Sequence, residues 1–408
     1  MASANTAAES RTAACGIGAA CGALGEGALA SHGVLAKLHA SLDSKPSKAA
    51  AHARESALLA VGALCLTLRY KFEPYSIPML PRLVKAFADK DMKAATAATL
   101  AARAALEGLS SLSVKSVLGA LYEGMQVVGG GGRTKIECLS LASLLAIRAP
   151  RTMGPCLPEC IPLVMECLND SNGKVQAAAE AALPKLCSCV DNPEVASTLK
   201  EWLMLALRTP DKTLACIDEV LMTTFCNPMD GTSLAFMMPV LLRGIRDANY
   251  ELVKKATVCT SNMCALIKDS SDIAPFVPAL LPLLEQNLEH SSPDVRAATE
   301  LAKSKLLEGA GDLVDPRARA TALAATVRDG VAATRPGLPA EVLSYLGETS
   351  AAMLEEKLGG VVRVKYFRDA VPACADWLAE NTSSLVPGEQ ADLTAVAAAA
   401  VEKFKEML

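Results

Sequence analysis

The chain has 408 residues, a formal net charge of −4 and 51% hydrophobic residues, while aromatic residues make up only 4%. A slightly acidic balance excludes the surplus of lysine and arginine on which strong non-specific nucleic-acid binding depends. Apolar residues recur at helical spacing without period-two alternation, so the sequence predicts an all-α protein.

The first fifty residues are rich in alanine, glycine and serine. They contain only three acidic residues, Glu9, Glu26 and Asp43. Two interpretations are open for this atypical segment, 1–50: a degenerate helical cap, or an organellar targeting segment, a class that is poor in acids. The scarcity of arginine, with Arg11 alone, weighs against targeting. The longest apolar run, Ala57–Leu68, is too short to cross a bilayer, so we expect no transmembrane segment.

Residues 51–310 repeat a pair of helix-length apolar segments joined by a short polar turn. In the clearest pair, the turn Asn169–Gly173 separates the two segments. Six pairs follow one another: Tyr75–Glu107, Val114–Ala149, Cys156–Val190, Glu194–Thr224, Thr232–Ile267 and Ala274–Glu308. A two-helix unit with a period of about 40 residues is typical of HEAT and armadillo repeats. Such a hairpin needs a neighbour to bury its apolar face, so the pattern predicts an α-solenoid.

The repeat pattern stops at Gly309–Pro316, which contains two glycines and a proline and is typical of a boundary. Beyond it, four further segments are each long enough for one helix: Arg317–Thr334, Pro339–Lys357, Val364–Glu380 and Glu389–Leu408. Four helices on short connections predict a small helical bundle over residues 311–408.

No pattern of catalytic, cofactor-binding or metal-binding residues is evident. The four histidines lack helical metal spacing, no C-x-x-C pair occurs, and Gly129–Gly132 lacks the register of a phosphate-binding loop. The sequence therefore predicts a protein that is not an enzyme and takes no cofactor or small-molecule substrate. Six cysteines on apolar helix faces are expected to be buried, reduced thiols: Cys65, Cys138, Cys167, Cys187, Cys259 and Cys264.

Basic residues near the second helix of each repeat are candidates for partner binding. The alternative is a structural ladder with acids of the same turn, and we favour that alternative for Asp170 with Lys174 and Asp294 with Arg296. The better partner-binding candidates occur in pairs and have fewer acids near them: Arg243, Arg246, Lys254 and Lys255. We also expect Leu242 and Leu281, on first helices, to pack between repeats.

Thr232–Leu307 resembles the last HEAT repeats of fungal translation elongation factor 3. The resemblance rests on Met238–Gly244, Asn262–Leu266, Ile273–Phe276 and Leu280–Pro282. The stretch from Phe72–Tyr75 to Leu80–Pro81 is similar to HEAT repeats of the large ribosome-associated activator of the starvation-response kinase. Tyr366-Phe367, Trp377-Leu378 and Glu402–Glu406 resemble the four-helix bundle that follows the HEAT domain in elongation factor 3.

The resemblance implies a non-catalytic scaffold or adaptor in the cytoplasm that binds a large assembly. By resemblance that assembly is the ribosome, with both protein and ribosomal RNA as partners. The family's ATP-binding cassettes have no counterpart in this sequence, so its ATPase activity is not carried over. The alternative is a structural linker subunit of another large complex, including an organellar (plastid) or photosynthetic membrane assembly. The positive mean hydropathy of +0.28 fits permanent burial against partners.

Overall fold

The computed structural model of the chain describes residues 7–25, 27–44, 48–128 and 131–311. These residues form helices joined by short turns, and their one β-type contact is an isolated bridge between Met229 and Ile267. The predicted all-α solenoid is therefore confirmed. The predicted helical bundle at 311–408 lies outside the described residues, apart from Gly311 at its edge.

The chain divides into two compact units. The first comprises Met1–Thr224 with Ala235–Val240, and the second comprises Phe225–Leu234 with Leu241–Leu408. The helices before residue 225 are α1 (Ala7–Leu24), α2 (Gly27–Ser31), α3 (Val34–Leu42), α4 (Lys48–Leu68), α5 (Glu73–Ala86), α6 (Met92–Gly108), α7 (Val114–Met125), α8 (Gly132–Arg148), α9 (Pro150–Met153), α10 (Leu157–Leu168), α11 (Gly173–Cys187), α12 (Lys200–Arg208) and α13 (Thr213–Met222).

The first unit is built from helix pairs stacked side by side. Helices α5 and α6, α7 and α8, α10 and α11, and α12 and α13 pack as pairs. Second helices of neighbouring repeats also pack on one another from α4 to α11, as α4 does on α6, α6 on α8 and α8 on α11. The four predicted pairs that fall before residue 225 coincide with these helix pairs.

Small residues let neighbouring second helices approach closely. Helix α6 buries eight alanines: Ala94, Ala95, Ala97, Ala98, Ala101, Ala102, Ala104 and Ala105. A Cβ atom on Gly62 of α4 would lie 3.4 Å from the Cα of Ala101. The high alanine content of the sequence thus serves close helix packing in place of a core of large side chains.

The described part of residues 1–50 is helical and packs on the solenoid. Helix α1 lies against α4, where a Cβ atom on Gly22 would come within 2.5 Å of the Thr67 Cγ2 atom. Glycine in α1 therefore permits the close approach of these two helices. The packing of α1 on α4 does not test whether the segment directs the protein to an organelle. The helical-cap and targeting interpretations of residues 1–50 therefore both stay predictions.

The second unit contains α15 (Tyr250–Ala265), α16 (Ser270–Ile273), α17 (Val277–Asn287) and α18 (Pro293–Ala310), while α14 (Gly231–Ile245) is divided between the two units. Helix α15 packs on α18, and α17 packs on α18. The expectation for Leu242 and Leu281 is wrong by one residue, because both are only half-buried. Their neighbours Leu241 and Leu280 are buried instead, being 1% and 0% exposed.

One continuous helical stretch, Ala50–Ala86, is long and apolar enough to cross a membrane by length and composition alone. Its apolar window is 61% buried inside the protein, as in the core helix of a solenoid. This stretch joins α4 to α5 and includes charged residues such as Arg54 and Glu55, both of which are buried.

Candidate interaction surface

The four basic residues proposed from the sequence lie around the turn between α14 and α15. Arg243 is in the last turn of α14 and Arg246 caps its C-terminal end, while Lys254 and Lys255 lie in α15. Arg246 is exposed, whereas Arg243 is half-buried and already engaged by other groups. Cations at the end of a helix also interact favourably with its dipole, which gives the two arginines a structural role as well.

Both lysines have an acidic partner, so the premise that they are poorly compensated is wrong. The Lys254 Nζ atom lies 2.6 Å from Asp294 Oδ2, and Lys255 Nζ lies 3.5 Å from Glu251 Oε1 one helical turn earlier. The hydrogen bond to Asp294 raises the pKa of Lys254, and the same bond lowers the pKa of Asp294. Among the four candidates, Arg246 is the exposed cation for which the described residues provide no ion pair.

The Lys254–Asp294 pair is one of three similar ion pairs, which we call rungs. In each rung, a basic residue on the second helix of one repeat binds an aspartate in the first turn of the next second helix or in the turn just before it. Arg54 Nε lies 2.7 Å from Asp89 Oδ2, and Lys135 Nζ lies 2.7 Å from Asp170 Oδ2. The rungs therefore connect adjacent repeats.

The ladder that we favoured from the sequence exists, but with different partners. Asp170 binds Lys135 of the preceding repeat and not Lys174, and Asp294 binds Lys254 and not Arg296. Arg296 donates instead to the carbonyl oxygens of His290 and Ser291, at 2.6 and 3.0 Å. Sequence proximity was misleading because stacking brings residues about 40 positions apart closer than neighbours in one turn.

Turn aspartates also organise the start of three second helices, α6, α11 and α15. Asp89, Asp170 and Asp247 each accept the backbone N–H of the residue two positions later, at 2.8 to 2.9 Å. That later residue, Asp91, Asn172 or Asn249, is the N-cap and accepts N–H groups of the first helical turn. The recurring D-x-D/N tripeptide is visible in the sequence and could have located these capped turns.

Tyr250 is a surface residue that the sequence analysis missed. It follows the N-cap Asn249 as the first residue of α15 and is 59% exposed. Lys254 lies one helical turn further along the same helix. We call Arg246, Tyr250, Lys254 and Lys255 the α15 edge. Aromatic and arginine side chains are enriched at protein interfaces, and exposed aromatic rings can also stack on nucleic-acid bases.

Helices α1 and α4 bring together serine, histidine and glutamate in the order of a catalytic triad. The Ser10 Oγ atom lies 3.2 Å from His52 Nε2, and His52 Nδ1 lies 3.6 Å from Glu55 Oε2. Ser10 is fully buried and accepts a hydrogen bond from Ser56, so a substrate has no access to its hydroxyl. This network joins α1 to α4 and was not predicted from the sequence.

The cysteines behave as small core residues. All six cysteines that were predicted to be buried are buried. Burial raises the pKa of the thiols of Cys65, Cys138 and Cys264 to about 12, which disfavours the reactive thiolate. Within the described ranges, no group of three or more histidine, cysteine or acidic side chains is arranged to hold a metal ion.

Two family models match the chain. Residues 10–183 match the EF3 N-terminal HEAT repeat, and residues 211–316 match the elongation factor 3/GNC1 HEAT repeat. A designed armadillo repeat protein of known structure covers 67% of this chain at 15% identity, with a TM-score of 0.28. At that score the likeness carries no argument, and the fold rests on the helices described above.

Several curated proteins are similar to the chain. Protein ILITYHIA of Arabidopsis thaliana is 36% identical over 311 residues, which are 74% of this chain and 11% of that protein. Stalled ribosome sensor GCN1 of Homo sapiens is 33% identical over 260 residues, covering 64% of this chain and 10% of that protein. Elongation factor 3 of Phytophthora infestans is 28% identical over 244 residues, covering 60% and 23%.

The chain therefore spans about a tenth of the length of its first curated relatives and about a quarter of elongation factor 3. Both family models describe HEAT repeats of elongation factor 3, and between them they match most of the described solenoid. The chain is a HEAT-repeat region related to elongation factor 3 and GCN1.

Proposed function

We propose that this chain is a non-catalytic adaptor that docks on the ribosome in the cytoplasm through its HEAT surface. The observation that carries the proposal is the α15 edge, which lies inside the segment matched by the elongation factor 3/GNC1 HEAT repeat. Two curated relatives are named for their work in translation, one as a stalled-ribosome sensor and one as an elongation factor.

The chemistry of the α15 edge suits a ribonucleoprotein partner. Arg246 offers a guanidinium to phosphate or carboxylate, and Tyr250 offers an exposed ring that can pack against a protein side chain or a base. Lys254 and Lys255 remain partly exposed despite their acidic partners. We therefore propose that Arg246 and Tyr250 make the main contacts and that the two lysines, with Arg243 behind them, contribute a weaker electrostatic attraction.

The experiment is co-sedimentation of the purified chain with cytosolic ribosomes. We expect Arg246→Glu combined with Tyr250→Ala to reduce the bound fraction while the chain stays folded, with at most a small fall in melting temperature from the acidic residue at the end of α14. The matched control is Lys212→Glu combined with Leu214→Ala, which changes an exposed cation and a partly exposed apolar residue at the start of α13. Equal losses in both variants, or no loss in either, would argue against docking through the α15 edge.

Turnover is tested separately. The proposal expects no ATP hydrolysis by the pure chain, with or without ribosomes, because Gly129–Gly132 lacks the register of a phosphate-binding loop. Hydrolysis above a heat-inactivated control would contradict the proposed adaptor function.

A second candidate function is a structural linker in another large complex, including a plastid or photosynthetic membrane assembly. The observation that favours it is the exposure of several large apolar side chains, such as Val128 at 92% and Met222 at 82%. Co-purification of the tagged chain from its native cells distinguishes the candidates. Ribosomal proteins in the eluate support the adaptor, whereas a stoichiometric complex without ribosomal proteins supports the linker.

A further inference from the structure

The junction between α4 and α5 has an unusual backbone conformation at Arg69. Its φ angle is +50°, and it is the one non-glycine residue with positive φ in the described part of the chain. Helix α4 ends at Leu68, and Arg69–Phe72 form a single 3-10 turn before α5. Glycine usually takes the left-handed position after a helix end, because a Cβ atom there is unfavourable. Strained residues of this kind are concentrated at functional sites.

The end of α6 holds this junction in place. A Cβ atom on Gly108 would lie 3.3 Å from the Cys65 carbonyl oxygen and 3.5 Å from Arg69 Cα, so the two helix ends approach closely. Glu73 then fixes the loop that follows α6. Its carboxylate accepts the backbone N–H of Ser110 at 2.8 Å and the Ser110 hydroxyl at 3.1 Å, and it also accepts the Ser113 hydroxyl. Leu112 lies between these two serines in the sequence, so the bonds anchor its loop at Glu73, the residue that follows the 3-10 turn Arg69–Phe72.

Large side chains at the junction are exposed to an unusual degree. Leu66 is 62% exposed, Tyr70 is 67% exposed and Leu112 is 87% exposed, while Arg69 and Lys71 are also exposed. We call these five residues the junction patch. Exposed apolar groups rimmed by polar residues mark interaction sites, and tyrosine and arginine are frequent energetic anchors at interfaces.

The cations of the junction patch have no acidic partner among the described residues. Of the acids in the adjoining segments, Glu73 is occupied by Ser110 and Ser113, and Glu107 lies 3.6 Å from Arg103. Arg69 and Lys71 therefore leave the patch positively charged, in contrast to the three rungs.

We propose that the junction patch docks an acidic amphipathic segment of a partner protein. Apolar side chains of that segment pack on Leu66, Tyr70 and Leu112, and its carboxylates pair with Arg69 and Lys71. A single-stranded RNA would stack on Tyr70 and use the cations, but it would leave the two leucines exposed, so a protein segment fits better. The inference concerns a surface outside the α15 edge and does not depend on ribosome docking.

The test is fluorescence anisotropy of the full chain with a labelled helical peptide of about 18 residues, with leucine at i, i+3, i+4 and i+7 and glutamate elsewhere. The comparison probes are the same composition scrambled, the same peptide with lysine for glutamate, and a single-stranded oligouridylate. We expect the acidic amphipathic peptide to bind at least about tenfold more tightly than each of the other three. Failure of this peptide to bind, or preferential binding of the RNA, would overturn the proposal.

Variants locate the binding site. Tyr70→Ser combined with Leu112→Ser should weaken peptide binding by about tenfold or more. The matched control, Val127→Ser combined with Val128→Ser, removes two exposed apolar side chains elsewhere and should leave binding unchanged. Unchanged affinity in the Tyr70 and Leu112 variant would overturn the assignment.

Arg69→Gly separates a binding role from a structural one. Glycine relieves the positive φ angle, so the variant should melt at a higher temperature than the wild-type chain. The same change removes a cation and should weaken binding of the acidic peptide. A variant that is more stable and still binds with wild-type affinity would show that Arg69 takes no part in docking and would remove the charge argument.

Discussion

Two rungs use the same chemistry in very different surroundings. At the α4–α6 step, the side chains of Arg54 and Asp89 are only 9% and 10% exposed. At the α15–α18 step, the side chains of Lys254 and Asp294 are 43% and 61% exposed. Arg54 also donates two hydrogen bonds to the two carboxylate oxygens of Asp89, whereas Lys254 donates one to Asp294.

The comparison separates ion pairs that hold repeats together from ion pairs that a partner can rearrange. A buried, bidentate pair is costly to break because each charge is left without water or a counter-ion. An exposed lysine–aspartate pair is weak, since water and salt screen it and both side chains lose freedom in forming it. Lys254 is therefore available to a partner at small cost, whereas Arg54 is committed to the fold.

The largest effect is expected in the core of the repeat formed by α17 and α18, whose second helix carries Asp294 of the exposed rung. Leu280 is fully buried in α17, so Leu280→Ala should lower the free energy of unfolding by roughly 2–5 kcal/mol. Leu281→Ala is the matched control and should cost clearly less, because Leu281 is half-buried. Urea unfolding followed by circular dichroism measures both. If Leu280→Ala and Leu281→Ala lowered the free energy of unfolding equally, the repeat that carries Asp294 would be loosely packed. The exposed rung could then not be compared with the buried one as a pair on an equally well-packed repeat.

Breaking the buried rung should have the next largest effect. Arg54→Ala leaves Asp89 buried without its cation, and we expect a loss of about 3 kcal/mol in the free energy of unfolding. The double variant with Asp89→Ala should recover part of this loss, because the unpaired charge is gone. A single variant as stable as the wild type would place Arg54 among the weak surface pairs.

Acid should weaken the buried rung in a defined direction. The hydrogen bond from Arg54 lowers the pKa of Asp89, although burial acts in the opposite direction. A carboxylate with a depressed pKa in the folded state stabilises the fold above its unfolded value of about 3.9, and this stability is lost as the pH falls through the folded value. We therefore expect the stability difference between the wild-type chain and the Arg54→Ala, Asp89→Ala variant to be constant near neutrality and to shrink below about pH 4. If the stability difference between these two proteins persisted below about pH 4, it would not come from the ionised carboxylate of Asp89.

The smallest effect is expected at the exposed rung. Asp294→Ala should lower the free energy of unfolding only slightly, because both charges of the pair are exposed, and the change should shrink further in high salt. The net charge at the α15 edge then becomes more positive by one unit, so ribosome binding should become slightly stronger while stability barely changes. A loss comparable to that of Arg54→Ala would show that exposure does not distinguish the two rungs.

The fold could be predicted from the sequence because its information is local and periodic. Each pair such as Cys156–Val190 combines helical spacing with a turn, Asn169–Gly173, that cannot continue a helix. The period of the pairs then requires stacking. The core leucines were misplaced by one position, at Leu242 and Leu281, because a run of consecutive leucines does not fix the buried face of a helix.

The surface could be predicted only in part. Which cation meets which acid depends on the register between repeats, which the sequence does not state, so the partners of Asp170 and Asp294 were assigned to the wrong residues. Tyr250 was missed because exposure of an aromatic residue depends on the capped turn that precedes it. The junction patch could not be predicted because it combines residues that are far apart in the sequence, Arg69 and Leu112. It also involves a positive φ angle at Arg69, which a non-glycine residue rarely adopts.

The most direct test of ribosome docking is the salt dependence of co-sedimentation with cytosolic ribosomes. If the α15 edge contacts ribosomal RNA, the logarithm of the binding constant should fall linearly with the logarithm of salt concentration, and Arg246→Glu should reduce that slope by about one unit or more. The Lys212→Glu control should keep the wild-type slope. A slope that is identical in wild type and Arg246→Glu, or the absence of binding at low salt, would contradict the account.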